Sequence, residues 1–181
     1  MKKIFILTVV ALGMTLQVIA SAAMAVPADL QVALFYKIFD FDQSLSVQTG
    51  QEIVIGIFYD PNDPQSKEAK EEVEQSFSGV SDKAIAGKRA VIKEITSVDQ
   101  LDGINIVYVT PGNDSSIKEI VRKCETDKIF GISATEAYAR QGLALAIGVE
   151  NNRPKIIVNR ATLGLSGVKL SSQLLALAQI I

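Results

Sequence analysis

Leu143-Ala144-Leu145-Ala146-Ile147-Gly148-Val149-Glu150-Asn151-Asn152-Arg153-Pro154-Lys155-Ile156-Ile157-Val158 is the stretch that decides the fold. Bulky Leu143, Leu145, Ile147 and Val149 alternate with Ala144, Ala146, Gly148 and Glu150, the period of a strand with one large and one small face. Asn151-Asn152-Arg153-Pro154 reads as a turn and Lys155 to Asn159 as the return strand, so the pair is a β-hairpin. The chain before it alternates strand and helix patterns. A hairpin added to βα alternation predicts one α/β domain with a mixed β-sheet flanked by helices.

Working outward toward the N-terminus, Lys128 to Ser133 reads as a short strand, followed by a brief helical turn through Ala137 and Tyr138. Ile117, Ile120, Val121 and Cys124 recur at i, i+3, i+4 and i+7, the buried face of a helix. Ile104 to Val109 and Arg89 to Ile95 read as strands, and Gly79 to Gly87 as a loop. Ile53 to Tyr59 is a continuous apolar run, as in a strand covered on both faces. Asp60-Pro61-Asn62-Asp63-Pro64 is a turn. Asp63 is placed to cap a helix whose first residue is Pro64 and whose apolar stripe is Ala69, Val73 and Phe77. Ala28 to about Phe41 reads as a helix with Leu30, Leu34 and Ile38 at i, i+4, i+8 and Phe35 and Phe39 beside them. Toward the C-terminus, Ser171 or Ser172 caps a last helix, whose Leu174, Leu175 and Leu177 are expected to pack on the bulky face of Leu143 to Val149.

The first residues carry a different message. Lys2 and Lys3 precede an uncharged, mostly apolar run from Ile4 to Ile19, and small residues end in Ala23-Met24-Ala25. That order of charge, apolar run and A-x-A site is a secretory signal peptide over residues 1–25. The expected mature domain is 26–181, exported to the periplasm. Losing Lys2 and Lys3 takes the net charge from −2 to −4. Weak acidity gives no electrostatic reason for nucleic acid as a partner.

The composition excludes much chemistry. The chain has no His, no Trp and one Cys. Ser-His-Asp and Cys-His mechanisms need a His, as do Cys/His zinc sites of the common kind. One Cys makes no intrachain disulfide. Gly164-Leu165-Ser166-Gly167-Val168 falls short of a nucleophile elbow, which needs Gly at 168. Asp60, Asp63, Glu68, Glu71, Glu72 and Glu74 lack the alternating ligands and turn Gly of a calcium loop, and read as a solvated helix face. Gly112-Asn113-Asp114 stands where helix N–H groups hold anions, but Asp114 is expected to cap that helix itself. Cys124, on the apolar stripe, reads as a buried inert thiol. No catalytic residue, cofactor or metal site emerges.

Residues 129–178 also carry a family pattern. Ile129-Phe130-Gly131-Ile132-Ser133 is a short apolar strand ending in Ser. Tyr138-Ala139-Arg140-Gln141-Gly142 is an aromatic-x-x-x-Gly turn, the hairpin follows, Asn159 opens a helix, and Leu170-Ser171-Ser172-Gln173-Leu174-Leu175-Ala176-Leu177-Ala178 is a terminal Ser-Ser-x-Leu-Leu-x-Leu-Ala element. This resembles the YfiR-like periplasmic proteins, the relatives of YfiR and HmsC. Ile55-Gly56-Ile57 before Asp60-Pro61, Ile104 to Val109, and a first helix with Phe35, Tyr36 and Phe39 agree more loosely. The resemblance implies a non-enzymatic regulator that binds the periplasmic part of a membrane signalling protein, a diguanylate cyclase or sensor kinase, and modulates its activity. Cyclic di-GMP would be the output. Three departures stand out. The family's frequent Trp-Pro after helix one is Phe41-Asp42, the first Gly of its Gly-Gly turn is Gln141, and the cysteine pairs of its best-known member are missing, since Cys124 stands alone.

The alternative reading is a binding module for a small solute or cell-wall (peptidoglycan) fragment. Open α/β sheets bind ligands at the carboxyl ends of their strands. Tyr59, Asp60, Thr110, Asn113, Ser133 and Thr135 are the polar or aromatic residues expected there, as ligand or partner contacts. Turn chemistry and capping are the ordinary account of the same residues. A homodimer is left open by the sequence.

Overall fold

A computed structural model describes residues 24–42, 44, 50–80 and 83–181. Residues 1–23 of the expected signal lie outside them. In chain order the elements are α1 (Ala28–Asp40), β1 (Glu52–Phe58), α2 (Pro64–Ser78), β2 (Arg89–Ile95), a 3₁₀ turn (Val98–Leu101), β3 (Ile106–Val109), α3 (Ile117–Asp127) and β4 (Phe130–Ser133). They continue with α4 (Glu136–Arg140), β5 (Leu145–Glu150), β6 (Arg153–Val158), α5 (Arg160–Leu165), α6 (Ser172–Leu177) and β7 (Gln179–Ile180). The described strands form one seven-stranded sheet in the order β2-β1-β3-β4-β5-β6-β7. Every pairing is parallel except the β5–β6 hairpin. The domain is thus α/β with a mixed sheet, as the hairpin demanded.

Alternation along the strands sorts side chains onto two faces. Ile53, Ile55 and Ile57 of β1, Ile106 and Tyr108 of β3, and Leu145 and Ile147 of β5 share one core with α1, the Val73–Phe77 stripe of α2, and Leu174 of α6. Phe58, Val107 and Val109 face the other way, onto the 3₁₀ turn and onto Ile117, Ile120, Val121 and Cys124 of α3. Gly56 is needed on that second face, because a Cβ there would lie 2.9 Å from Ile95 Cγ1. The α2 prediction holds in detail: the Asp63 carboxylate accepts the Ser66 N–H at 2.7 Å, and Pro64 opens the helix.

Several expectations need correction. Of the α1 stripe of Leu30, Leu34 and Ile38, only Ile38 is fully in the core. Leu30 is exposed, Leu34 is half-buried, and the core is reached by Val32, Phe35, Tyr36, Ile38 and Phe39. Aromatic packing sets that rotation: Phe35 meets Tyr108 edge-on at 5.9 Å and Phe39 meets Phe130 at 6.1 Å. Asp114 does not cap α3. The chain makes an extra turn, and the helix opens at Ile117, with the Asn113 carbonyl accepting the N–H groups of Ser116 and Ile117.

The hairpin turn is Asn151-Asn152 alone. Both residues take positive φ, 51° and 58°, as a two-residue turn between right-twisted strands requires, so Arg153 and Pro154 already belong to β6. Leu143 precedes the regular strand and packs with α3, not beside Leu145. Ser166, in the stretch that falls short of a nucleophile elbow, ends α5, buried, and its hydroxyl donates to the Leu163 carbonyl. At the end of the chain Leu174 is 4% exposed, while Leu177 is 79% exposed, because the chain leaves α6 to form β7.

Candidate functional site

The connections from β1 pass over one sheet face through α2, and the connections from β3 pass over the other through α3. The carboxyl ends of β1 and β3 therefore flank the point where strand order reverses, the place where open α/β sheets bind ligands. Tyr59 and Asp60 leave β1 there, and Thr110 and Asn113 leave β3. Ser133 and Thr135 follow β4, one strand further along. The structure thus brings the first four together and holds the last two beside them.

Within that crevice the polar groups satisfy one another. Buried Thr110 donates through Oγ1 to the Phe58 carbonyl at 3.1 Å, and its oxygen lies 2.7 Å from Ser66 Oγ. The Asn113 amide donates to the Thr110 carbonyl at 2.9 Å and to Thr110 Oγ1 at 3.0 Å. The Asn113 backbone N–H donates to the Tyr138 hydroxyl at 2.8 Å. Burial, first of all, pushes the Tyr138 phenol up to about 12, so the hydroxyl stays protonated and keeps its own donor for Asp114. Ser133 Oγ donates to the Val109 carbonyl at 2.7 Å and accepts the Thr135 N–H. The Asp60 carboxylate accepts the Asn62 N–H, a local turn bond. Gly112 adopts φ +83° with its α-carbon against the Asp63 carboxylate, where a Cβ would lie 2.9 Å away. Ser66 and Tyr138 complete this network. Sequence reading missed both, since neither stands at a strand end.

Tyr59 alone of the six reaches the surface network. Its hydroxyl donates to Glu94 at 3.1 Å, and Lys70 lies 5.4 Å above its ring. Lys70 also holds Glu94 at 2.8 Å and Glu74 at 3.0 Å. The Lys70 hydrogen bond holds the Glu94 carboxyl below its ordinary value.

A second site lies at the other end of the sheet. A groove of about 530 Å³ runs beside the hairpin, between Leu34 of α1, β6 and Leu177 of α6. A smaller hollow of about 240 Å³ shares Arg153 and Pro154 with it and reaches Val26, Leu30 and Val149. Exposed Leu30 and Val149 line the smaller hollow and exposed Leu177 the groove, so large apolar side chains reach the surface in both. The Lys155 ammonium pairs with Glu150. Pro154 in a strand was the available sequence signal for an edge, because Pro is confined to sheet edges and bulges. Among the described residues no His/Cys/Asp/Glu group fits a metal ion. No described helix is long and apolar enough to cross a membrane.

Fold and site together define an α/β domain whose switch point is already filled by its own side chains. The chain belongs to the YfiR/HmsC-like family, whose model matches residues 28–179. Membership supports a periplasmic regulatory role. No curated protein matches it. Solved structures share the fold. A conserved domain protein from Vibrio cholerae aligns at TM-score 0.61 and 14% identity over 85% of this chain and 60% of that one. A ligand-free, open substrate binding protein with adhesive properties from Clostridium difficile aligns at TM-score 0.64 and 18% identity over 86% of this chain and 60% of that one. An ABC domain in complex with L-Trp from Streptococcus pneumoniae aligns at TM-score 0.60 and 15% identity over 86% of this chain and 60% of that one. The chain thus spans about 60% of the length of these structures.

Proposed function

We propose that this protein is a non-enzymatic regulator of the periplasm, exported after removal of residues 1–25, that binds the periplasmic part of a membrane signalling protein and modulates its activity. The family match over 28–179 is the observation that carries the reading. The apolar face around Leu30, Val149 and Leu177 supplies a surface of the right kind. A diguanylate cyclase or a sensor kinase is the partner class that the family resemblance implies. The test is deletion of this chain in cells that carry such an enzyme. Cyclic di-GMP or kinase output should change and return to its starting level when the chain is restored. Output indifferent to deletion sinks the proposal.

The likeness to a substrate binding protein and to a complex with L-Trp favours a second reading, capture of a small solute or cell-wall fragment. Tyr59, Asp60, Thr110, Asn113, Ser133 and Thr135 would be the contacts. A ligand there has to displace hydrogen bonds that the crevice already makes, which costs about 1–3 kcal/mol for each buried group left unpaired. Calorimetric titration with L-Trp and with a muramyl peptide tests it, and heat that disappears in Asn113→Ala would move the site to this crevice.

A further inference from the structure

We propose that the open half of the β6 edge accepts an extended segment of the partner protein, with an acidic residue held opposite Lys155 and apolar residues on either side of it. The inference rests on the reading of this chain as a protein-binding regulator.

Val158 turns its backbone groups away from β5, because its carbonyl accepts the Ile181 N–H at 2.9 Å on the β7 side. In an antiparallel pair such groups alternate, so Ile156 and Pro154 also face outward. β7 is in register only with Ile157 and Val158. A parallel bridge centred on Ile157 engages the Ile156 carbonyl and the Val158 N–H. Two outward groups are left over among the described residues, the Pro154 carbonyl and the Ile156 N–H. They flank Lys155. One added residue, running parallel to β6, can donate to the first and accept from the second. Pro154 wastes no donor in this position, since its nitrogen carries no hydrogen.

The walls of the groove specify the rest. Ile156 packs against the α1-side core, and Leu34 of α1 joins the same core, so that side of an incoming strand meets apolar surface. Leu177 lines the same groove. Arg153 and Lys155 have the opposite parity along β6 and lie on the other face, paired in register with Glu150 and Gly148. Glu150 neutralises one of these cations. The groove is left with one positive charge in excess, which a carboxylate on the central residue of the incoming segment complements. Backbone bonding supplies affinity in such strand addition, and alternate side chains supply selectivity.

The test is photocrosslinking in intact cells with the full chain, placing benzoylphenylalanine in turn at Lys155, Leu177 and, on the opposite sheet edge, Lys93. Adducts at 155 and 177 should map by mass spectrometry to one extended apolar–acidic–apolar segment of a membrane protein. Ile156→Pro deletes the open N–H without touching the ladder to β5, and should weaken capture about two- to tenfold, the worth of one hydrogen bond. Arg153→Glu, at an exposed position, should weaken it by a similar factor and serves if Ile156→Pro lowers the amount of folded protein. Adducts to a second copy of this chain or to a helix overturn the proposal, as does capture indifferent to both variants. A membrane-protein adduct at 93 alone overturns it and leaves the regulator reading standing. No membrane-protein adduct at any of the three positions overturns both.

Discussion

Asn113 is the residue on which the switch-point crevice depends. Its amide donates to the carbonyl and the hydroxyl of Thr110, and its N–H to Tyr138. Asn113→Ala leaves buried acceptors without a donor, and should cost about 1–3 kcal/mol, read as a lowered melting temperature. Cys124 behaves differently. Its thiol is buried and desolvation pushes its pKa up to about 12, so little thiolate exists at neutral pH. A thiol reagent should label the native protein slowly, and fast labelling or a disulfide-linked dimer on a non-reducing gel would refute inertness. Cys124 and Asp63 were legible in the sequence because each follows from local spacing. Ser66 and Tyr138 were not, because their partners Thr110 and Asn113 are distant in the chain and meet only through the sheet.

At the scale of elements, the terminal helix divides its leucines sharply. Leu174 is buried against the sheet, so Leu174→Ala should lose about 2–5 kcal/mol. Leu177→Ala should stay within about 0.5 kcal/mol, as surface substitutions do. Equal losses in denaturant melts would contradict the packing. The Leu174 position was readable from the helix pattern; the fate of Leu177 depended on β7, a two-residue strand too short to give a period. α1 teaches the same lesson in another form, since two apolar stripes were available and the aromatic one won the core. The tie between α2 and β2 predicts a pH effect. Glu94 titrates below its unfolded value because Lys70 hydrogen-bonds its carboxylate. A lowered carboxylate stabilises fully above the unfolded value, about 4.3, and loses that contribution as pH falls through the folded one. The melting difference between the wild type and Glu94→Gln should therefore shrink on acidification below about pH 4. A difference that grows there would reverse the assignment.

At the scale of the whole molecule, the N-terminal boundary of the fold meets the expected cleavage site. Val26 is 2% exposed, and its carbonyl accepts the Gln31 amide at 2.6 Å. Protein recovered from the periplasm should have the intact mass of a chain beginning at Val26, and a mass retaining Lys2 and Lys3 would refute export by cleavage. The sheet order has a kinetic consequence as well. From β4 onward each strand lies beside the strand that precedes it in the chain, and β3 departs from that succession by pairing with β1 instead of β2. Each new strand thus joins an edge that is already in place, and the entropy cost of closing the helical connections grows only slowly with their length. A chain threaded across a membrane from its N-terminus can assemble this sheet in the order in which it emerges. The hairpin and its groove would come last, so a nascent molecule would acquire its binding edge only after the core beneath it had set.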